Sequence, residues 1–244
     1  MNLYLVGGAV RDALLGRPVK DLDFAVEAHS YEQMRDDLHV RGLTIWKEMP
    51  QFVTLRGSIP VENLGDFGDH LDNYSGRVNA DFTLCRKESQ YTDKRHPDVV
   101  TPADIYTDLS RRDFTINAIA LGQDGVLFDP FGGETDLMVG VLRCVGLPSE
   151  RFTEDPLRIL RAMRFAVTLD FDISYETREA MSDLRLLSGL KSLPVERVRE
   201  ELNRALAHNW RETMLFLIME FPRLGNALFE DFPNLWLRAT TEER

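Results

Sequence analysis

Two aspartates separated by one residue, Asp21 and Asp23, are the side chains whose type and spacing first suggest chemistry. They lie in a segment, 21–26, whose pattern predicts a β-strand, and residues i and i+2 of a strand project from the same face. Converging carboxylates repel each other unless a cation lies between them, and Mg²⁺ usually binds through one or two carboxylates and the phosphates of a substrate. The pair therefore suggests a metal-dependent phosphoryl-transfer site, although a D-x-D pattern is also typical of a solvated strand edge.

A glycine pair, Gly7 and Gly8, lies upstream of the aspartates, between a predicted strand at 3–6 and a predicted helix at 9–15. Glycine lets the backbone come close to a triphosphate, and the N–H groups at the start of a helix suit an anion. Arg11 lies in the first turn of this helix, where it could contact a phosphate or form a surface ion pair. The segment is a candidate phosphate cradle, although most glycine pairs are plain turns.

A third carboxylate would complete a metal cage around the aspartate pair. Asp81 lies in a strand-like run at 78–84 and is our candidate, and the spacing does not exclude Asp113. The sequence leaves the identity of this third carboxylate open.

The elements that must position these side chains form an α/β arrangement in the first part of the chain. A helix begins at Ser30 and ends near residue 40, and further strands are predicted at 43–47, 52–56, 78–84 and 141–145. Residues 57–76 are turn-rich and acidic, so we interpret them as a loop or insertion.

From residue 153 onward the apolar residues recur at helical spacing. The predicted helices in this part include 175–187, 194–207 and 210–221. The sequence therefore predicts an α+β protein in which a mixed-sheet domain, 1–146, precedes a helical domain, 147–244.

The composition is that of a globular protein with an acidic excess. The 244 residues are 43% hydrophobic and 28% charged, and the formal net charge is −11. Because phosphate neutralisation dominates non-specific binding to nucleic acid, this charge argues against a protein that coats nucleic acid. Arginine is concentrated in residues 151–211, so a local site for a polyanion is compatible with the acidic total.

The cysteines and the apolar segments indicate the environment that we expect for the protein. Two cysteines, Cys85 and Cys144, are too few for a disulfide framework, and we predict that both are buried thiols. No segment approaches the roughly 18 consecutive apolar residues of a membrane span, and the first residues lack the pattern of a signal peptide. We therefore expect a cytoplasmic protein without a membrane partner.

Three separated segments have a recognisable pattern: YLVGGAVRDALLGRPVKDLDF (4–24), DLSRRDFTINAIAL (108–121) and EDPLRILRAMRFA (154–166). Together they resemble the head and neck of the bacterial-type tRNA nucleotidyltransferases, the CCA-adding enzymes, and their poly(A) polymerase relatives. They occur in the family's order, and the resemblance covers about residues 1–220. It implies a nucleotidyltransferase-type mixed-sheet head followed by an all-helical neck and a short body.

The resemblance implies roles for individual residues of the head. Asp21 and Asp23 match the Mg²⁺-binding catalytic pair, and Asp81 falls where the family has a third catalytic carboxylate, usually glutamate. Gly8 and Arg11 match residues that bind the incoming nucleotide, and Gly7 belongs to the same nucleotide-binding turn. In the second segment the implied nucleotide-binding residues are Arg111, Arg112, Asp113 and Asn117, with Asp108 in the same motif. Arg111 and Asp113 could instead cap and pair a core helix.

In the third segment the resemblance implies nucleotide contacts from Glu154, Asp155, Arg158, Arg161 and Arg164. Asp155, Arg158 and Arg161 are three residues apart on a predicted helix, so successive side chains lie near one another. A carboxylate accepts from an exocyclic amine and a guanidinium donates to a ring nitrogen or carbonyl, so one Asp/Arg pair could select cytosine and adenine. The same spacing is also typical of an exposed helix face with ion pairs.

For the whole chain, the resemblance implies a Mg²⁺-dependent enzyme that adds C and A to the 3′ end of tRNA from CTP and ATP and releases pyrophosphate, with no DNA partner. Residues 86–101 match the family's loop that helps the switch from C to A, which favours addition of the terminal A. The alternatives are an A-adding or CC-adding enzyme, a poly(A) polymerase and, from another class, a non-catalytic RNA-binding module. At 244 residues the chain is short for the group, so we expect little of the part that grips tRNA.

Overall fold

The computed structural model describes residues 1–19, 21–64, 67, 76–89, 99–232 and 235. Its contacts divide the chain into two compact units, Met1–Leu137 and Met138–Arg244. This division lies before the domain boundary at 146/147 that the sequence suggests, and that boundary stays a prediction.

A seven-stranded mixed sheet organises the first unit, in the order β3-β4-β5-β2-β1-β8-β9. Its strands are β1 (Asn2–Val6), β2 (Leu22–Glu27), β3 (Thr44–Met49), β4 (Thr54–Pro60), β5 (Arg77–Leu84), β8 (Ala120–Gly122) and β9 (Leu127–Phe128). Two further strands, β6 (Arg86–Ser89) and β7 (Val99–Pro102), form a separate antiparallel pair. The helices are α1 (Gly8–Leu14), α2 (Tyr31–Val40), α3 (Ile105–Ser110) and α4 (Gly133–Val139).

The register between β2 and β5 determines which side chains share a face of this sheet. The two strands are parallel, with Asp23 opposite Asp81 and Phe24 opposite Phe82. Phe24 and Phe82 are both buried, and their rings stack at 5.2 Å between centroids. Since a slip of one residue would move one of the two rings to the exposed face and break the stack, burial of this apolar face holds the two aspartates together on the opposite face.

Strand β4 includes residues that the sequence analysis interpreted as loop, so that interpretation is wrong for residues 57–60. Gly57 permits a close approach rather than a turn, because a Cβ atom there would lie 2.4 Å from the backbone oxygen of Thr44 on β3. The strand predicted at 52–56 begins only at Thr54, since Pro50–Phe52 forms a 3₁₀ helix.

Two predicted loops fall partly outside the described residues. Of the segment 57–76, a 3₁₀ helix occupies Val61–Asn63, and residues 65–66 and 68–75 are not described. Of the segment 86–101, the ends belong to β6 and β7, and residues 90–98 are not described.

The second unit is helical apart from a short parallel pair, β10 (Val141–Leu142) and β11 (Asp172–Ile173). Its helices are α5 (Pro148–Glu154), α6 (Leu157–Leu169), α7 (Tyr175–Met181), α8 (Leu184–Leu187), α9 (Val195–Leu215) and α10 (Pro222–Asp231). A π-helical segment, Phe216–Glu220, follows α9. None of the helices in the described part of the chain has the length and apolar character needed to cross a membrane.

Two predictions for this unit need correction. The strand at 141–145 is only two residues long and pairs with β11, so it does not extend the large sheet. The helix at 175–187 is two helices, because the Asp183 side chain accepts a hydrogen bond from the Arg185 backbone and begins α8. The break predicted between 194–207 and 210–221 is confirmed, since α9 consists of two helical segments that meet at a kink where Asn209 has non-helical backbone angles.

The buried thiols predicted from the cysteine content are confirmed, since Cys85 and Cys144 are 0% and 3% exposed. Desolvation by burial raises the pKa of the Cys85 thiol far above its ordinary value, with smaller contributions from nearby Asp108 and Glu27. Both residues therefore act as small apolar core residues.

Replacement of Phe82 by alanine should lower the free energy of unfolding by about 3–5 kcal/mol, because it leaves a cavity against Phe24 beneath the aspartate face. Equilibrium unfolding in urea, followed by circular dichroism, measures this loss. Phe128→Ala is the matched control: Phe128 lies on the far edge strand β9 and is 37% exposed, so its loss should be about 1 kcal/mol or less. Equal losses in the two variants would contradict a central role for the stack.

Candidate active site

The structure brings the three predicted carboxylates together in the first unit. Asp21 and Asp23 are both exposed, and Leu22 between them is buried, as expected when alternate residues face opposite sides of a strand. With Asp81 of β5 they line a cavity of about 370 Å³. The sheet therefore presents a concentrated negative charge at one place on its exposed face.

This concentration of charge is visible in the proton affinity of Asp23. Desolvation and the charges of Asp81 and Asp21 raise the pKa of Asp23 above its ordinary value, against the opposing charges of Arg112 and Arg56. Its side chain reaches solvent, yet protein atoms and like charges surround it closely enough to disfavour the ionised form. A cation between the carboxylates would relieve this repulsion.

Asp81 is already engaged by an arginine that the sequence analysis did not select. Arg56 lies opposite Asp81 in the β4–β5 register and donates from Nε at 2.6 Å and from the terminal nitrogen at 2.5 Å. Within the described ranges, no group of three or more His, Cys, Asp or Glu side chains is arranged to hold a metal ion. The arrangement thus offers the pair Asp21 and Asp23 to a cation, and Asp81 is held by Arg56.

The glycine pair lies against two of the predicted nucleotide-binding arginines. Gly7 has a φ of +67°, and a Cβ atom there would lie 3.1 Å from a terminal nitrogen of Arg112. At Gly8 a Cβ atom would lie 3.5 Å from a terminal nitrogen of Arg11. The turn therefore needs glycine both for its left-handed backbone and for the close approach of the guanidinium of Arg112.

A buried carboxylate holds the paired arginines of the second motif. Asp108 is 2% exposed and accepts from Arg111 at 2.6 Å and from Arg112 at 3.1 Å. Burial alone would raise the pKa of Asp108, but the two guanidiniums outweigh burial and hold it below its ordinary value. The Asp108 carboxylate therefore fixes the orientation of both guanidinium groups.

Asp113 and Asn117 form a second support within the same motif. The carboxylate of Asp113 is buried and accepts from the Phe114 backbone at 2.8 Å and from the Asn117 amide at 3.0 Å. The side-chain oxygen of Asn117, Oδ1, in turn accepts a hydrogen bond from Arg11 at 2.7 Å. Asp113 does not line the aspartate cavity, so the structure places it as a support for Arg11 and not beside Asp21 and Asp23 as a third carboxylate.

The predicted residues of the third motif lie in the second unit, around Glu154. Its carboxylate accepts from Arg151 at 2.6 Å and from Arg158 at 3.0 Å, and Arg158 also donates to the backbone oxygen of Arg151 at 3.3 Å. The Arg158 side chain is only 16% exposed, so these hydrogen bonds, and not solvent, determine the orientation of its guanidinium group.

Asp155 does not lie on the helix that the sequence predicted. It follows the last residue of α5 in an extended conformation, and its side chain accepts from the Leu157 backbone at 3.0 Å. The proline at 156 disfavours helical backbone at the preceding residue. Asp155 therefore sits at the break between α5 and α6, and only Arg158 and Arg161 share the face of α6.

The remaining two predicted arginines, Arg161 and Arg164, converge on a glutamate of α9. Glu201 is 5% exposed, accepts from Arg164 Nε at 2.5 Å and lies 3.9 Å from Arg161. The Arg164 guanidinium also lies 4.0 Å from the ring centroid of Phe165. Desolvation lowers the pKa of Arg164 from its ordinary value, and Glu201 opposes this effect.

Several residues of these clusters were not identified from the sequence. Arg56 lines the aspartate cavity because β4 pairs with the distant β5, and Trp46 lines it because β3 pairs irregularly with β4; a single sequence carries no marker for either register. Glu201 does carry one: it lies on the buried face of an amphipathic helix between Val198 and Ala205, where a charged residue requires a partner.

Comparison with known protein families identifies the two parts of the chain separately. Residues 3–143 match the model described as the poly A polymerase head domain. Residues 170–220 match the model described as a probable RNA and SrmB binding site of polymerase A.

Similar proteins of known name include two CCA-adding enzymes. The protein of Streptococcus suis is 39% identical over 217 residues, and that of Lactococcus lactis subsp. cremoris is 40% identical over 217 residues. Each alignment covers 88% of this chain but only 48% and 49% of the relative. The chain thus spans about half the length of the curated relatives that it matches.

Solved structures show the same relationship in three dimensions. The Bacillus stearothermophilus CCA-adding enzyme in complex with CTP is 30% identical, with a TM-score of 0.69 over 90% of this chain and 48% of that chain. A tRNA nucleotidyltransferase complexed with a primer tRNA and an incoming ATP analog is 32% identical, with a TM-score of 0.63 over 90% of this chain and 59% of that chain. Together with the head-domain match over more than half of its length, these similarities show that the chain belongs to the poly A polymerase head-domain family of nucleotidyltransferases.

Proposed function

We propose that the protein transfers nucleotides from CTP and ATP to the 3′ end of tRNA in a Mg²⁺-dependent reaction that completes or repairs a CCA terminus. The observation that carries this proposal is the position of the aspartate pair beside the turn of Gly7 and Gly8, because Arg112 lies against Gly7 and its charge also acts on Asp23. Carboxylates for a cation and guanidiniums for a phosphate chain thus lie side by side, which is what nucleotidyl transfer requires.

The donor set of the aspartate pair suits Mg²⁺. Two exposed carboxylates project from one strand face, and the charge of Asp21 contributes to the raised pKa of Asp23. They match the preference of Mg²⁺ for one or two carboxylates together with substrate phosphates. When bound there by Asp21 and Asp23, Mg²⁺ would lower the pKa of a 3′ hydroxyl and neutralise charge that develops on the α-phosphate.

The arginines of the first unit are placed to hold the triphosphate. Arg11 is oriented by Asn117, and Arg112 is oriented by Asp108. Arg112 also keeps a buried donor, Nε, without a hydrogen-bond partner in the described part of the protein. Since such a donor destabilises the fold by about 1–3 kcal/mol, the position of Arg112 is not explained by stability alone.

In the reaction, the 3′ hydroxyl oxygen of the RNA forms a bond to the α-phosphorus as the bond from that phosphorus to the leaving pyrophosphate breaks. The guanidiniums of Arg11 and Arg112 balance charge on the departing phosphates, and the glycine turn leaves room for them. Because Asp108 and Asn117 already hold these arginines in place, little reorganisation is needed when the nucleotide binds.

Selection of the base is assigned to the second unit. Arg158, with its direction fixed by Glu154 and the Arg151 backbone, presents a planar donor to a ring nitrogen or carbonyl. Asp155 at the break between α5 and α6 supplies an acceptor for an exocyclic amine, and Arg161 and Arg164 supply further nucleotide contacts. Cytosine and adenine share this donor and acceptor pattern, whereas uracil and guanine do not.

Replacement of Asp21 or Asp23 by asparagine should reduce incorporation of labelled CTP and ATP into tRNA lacking CCA by about a thousandfold or more. The amide keeps the shape of the side chain but removes the charge that a cation requires. Circular dichroism should show an unchanged fold. The control is Asp36→Asn, a 69% exposed carboxylate on α2, which should keep wild-type activity. Wild-type rates in either site variant would refute the assignment.

Asp23→Asn should also raise the melting temperature in metal-free buffer at about pH 7. The pKa of Asp23 is raised in the folded protein, so the unfolded chain loses this proton more readily. The free energy of unfolding therefore falls as pH rises above the ordinary aspartate value of about 4. The gain should therefore vanish below about pH 4. Added Mg²⁺ should stabilise the wild type and have little effect on the variant. Thermal unfolding across pH, with and without Mg²⁺, measures both effects, and equal stabilisation by Mg²⁺ in the two proteins would contradict the site.

Arg158→Lys should weaken discrimination of CTP and ATP against UTP and GTP by about tenfold to a hundredfold, with a smaller loss of kcat for CTP. Lysine keeps the charge beside Glu154 but lacks the planar fork that reads a base edge. Single-nucleotide incorporation kinetics measure this ratio, and Arg185→Lys, at a 90% exposed position of the same unit, is the control. A uniform loss for all four nucleotides would instead indicate a phosphate contact.

A further inference from the structure

The cavity that contains the aspartates extends away from the proposed nucleotide site. In the strand order, β1 with its glycine turn lies on one side of β2, and β5, β4 and β3 lie on the other. The cavity is lined on this second side by Asn79, Asp81, Arg56 and Trp46. Its volume of about 370 Å³ lies within the roughly 300–1,000 Å³ of ligand sites.

In nucleotidyl transfer the attacking hydroxyl oxygen and the departing pyrophosphate lie on opposite sides of the α-phosphorus. If Gly7, Gly8, Arg11 and Arg112 hold the triphosphate on the β1 side of the aspartates, the attacking hydroxyl must come from the β5 side. The cavity on that side is therefore placed to receive the end of the acceptor strand.

Trp46 provides this cavity with an exposed aromatic surface. Its side chain is 56% exposed although it lines the cavity, and it lies at an irregularity of the β3–β4 register between Ile45 and Lys47. Such irregularities redirect a side chain and are frequent beside active sites. An exposed indole ring offers a stacking surface that accepts any base, and an acceptor site must accept different terminal bases as the RNA grows.

Arg56 provides a cation that is fixed beside the same surface. The two hydrogen bonds to Asp81 hold its guanidinium, and its side chain is still 54% exposed. A guanidinium directed in this way can contact a phosphodiester without first being ordered. Asp81 then acts as a positioning residue for Arg56.

We propose that this cavity is the subsite for the 3′-terminal nucleotide of the acceptor RNA, with the terminal base stacked on Trp46 and its phosphodiester bound by Arg56. The proposal rests on the proposed nucleotidyl transfer. It adds two residues, Trp46 and Arg56, to that function.

Stacking on Trp46 can be measured without catalysis. The full chain is titrated into a tRNA-like hairpin RNA whose 3′-terminal base is 2-aminopurine, in the absence of CTP and ATP. Wild type should quench the fluorescence of the probe, Trp46→Phe should keep part of the quenching, and Trp46→Ala should lose most of it. The matched control, Phe128→Ala at the far edge of the same sheet, should behave as wild type.

Steady-state kinetics should show that the Trp46 variant is impaired in binding the acceptor RNA and not in binding the nucleotide. Trp46→Ala should raise the KM for the RNA about tenfold or more and leave the KM for CTP unchanged. Arg56→Gln should reduce the slope of log affinity for RNA against log salt by about 0.7, the value for one contact with a single-stranded phosphate. Arg35→Gln, in a surface pair on α2, should leave the slope unchanged.

Two results would overturn the subsite. One is equal quenching by wild type and Trp46→Ala, and the other is a raised KM for CTP with an unchanged KM for RNA, which would place the incoming base in the cavity. If the wild type extends no RNA, the proposed function fails, and the quenching comparison alone then decides whether the cavity binds an RNA end.

Discussion

Repulsion between carboxylates on one face of the sheet is the constraint around which the first unit is arranged. Asp23 and Asp81 lie opposite each other in adjacent parallel strands, and Asp21 adds a third negative charge. The apolar side of the same strands, through the stack of Phe24 on Phe82, makes any other register unfavourable. Burial of hydrophobic surface therefore holds the charges together, and the arginines around them determine how much of the repulsion remains.

The arginines of this unit relieve the repulsion only in part. Arg56 neutralises Asp81 through two short hydrogen bonds, and Arg112 acts on Asp23 from the side of the glycine turn. Arg112 is shared with the buried Asp108, whose pKa stays low because two guanidiniums surround it. The pKa of Asp23 nevertheless remains raised. The fold thus keeps an excess of negative charge at the aspartate pair at a cost in stability, which supports the cation site that we propose.

Features that depend on residues close in the sequence were predicted, and features that depend on pairing between separate strands were not. The spacing of Asp21 and Asp23, the glycine turn and the helical second part depend on neighbours within a few residues, and each was predictable. The pairing of Arg56 with Asp81 depends on register between β4 and β5, which are distant in the sequence, and the place of Trp46 depends on a register irregularity between β3 and β4; a single sequence defines neither. Asp155 was misplaced for a local reason, since the following proline breaks the helix that the spacing suggested.

The second unit shows how glutamates can hold arginines in fixed directions within an acidic protein. Glu154 holds Arg151 and Arg158, and Glu201 holds Arg164 and lies near Arg161, so each glutamate is associated with two guanidiniums. In each trio one negative charge cancels one of two positive charges and leaves a net charge of about +1. The carboxylate also orders long side chains that would otherwise lose about 2 kcal/mol of rotamer entropy each when a ligand binds. Acidic residues in these positions therefore support the arginines, and both trios stay locally positive although the net charge of the chain is −11.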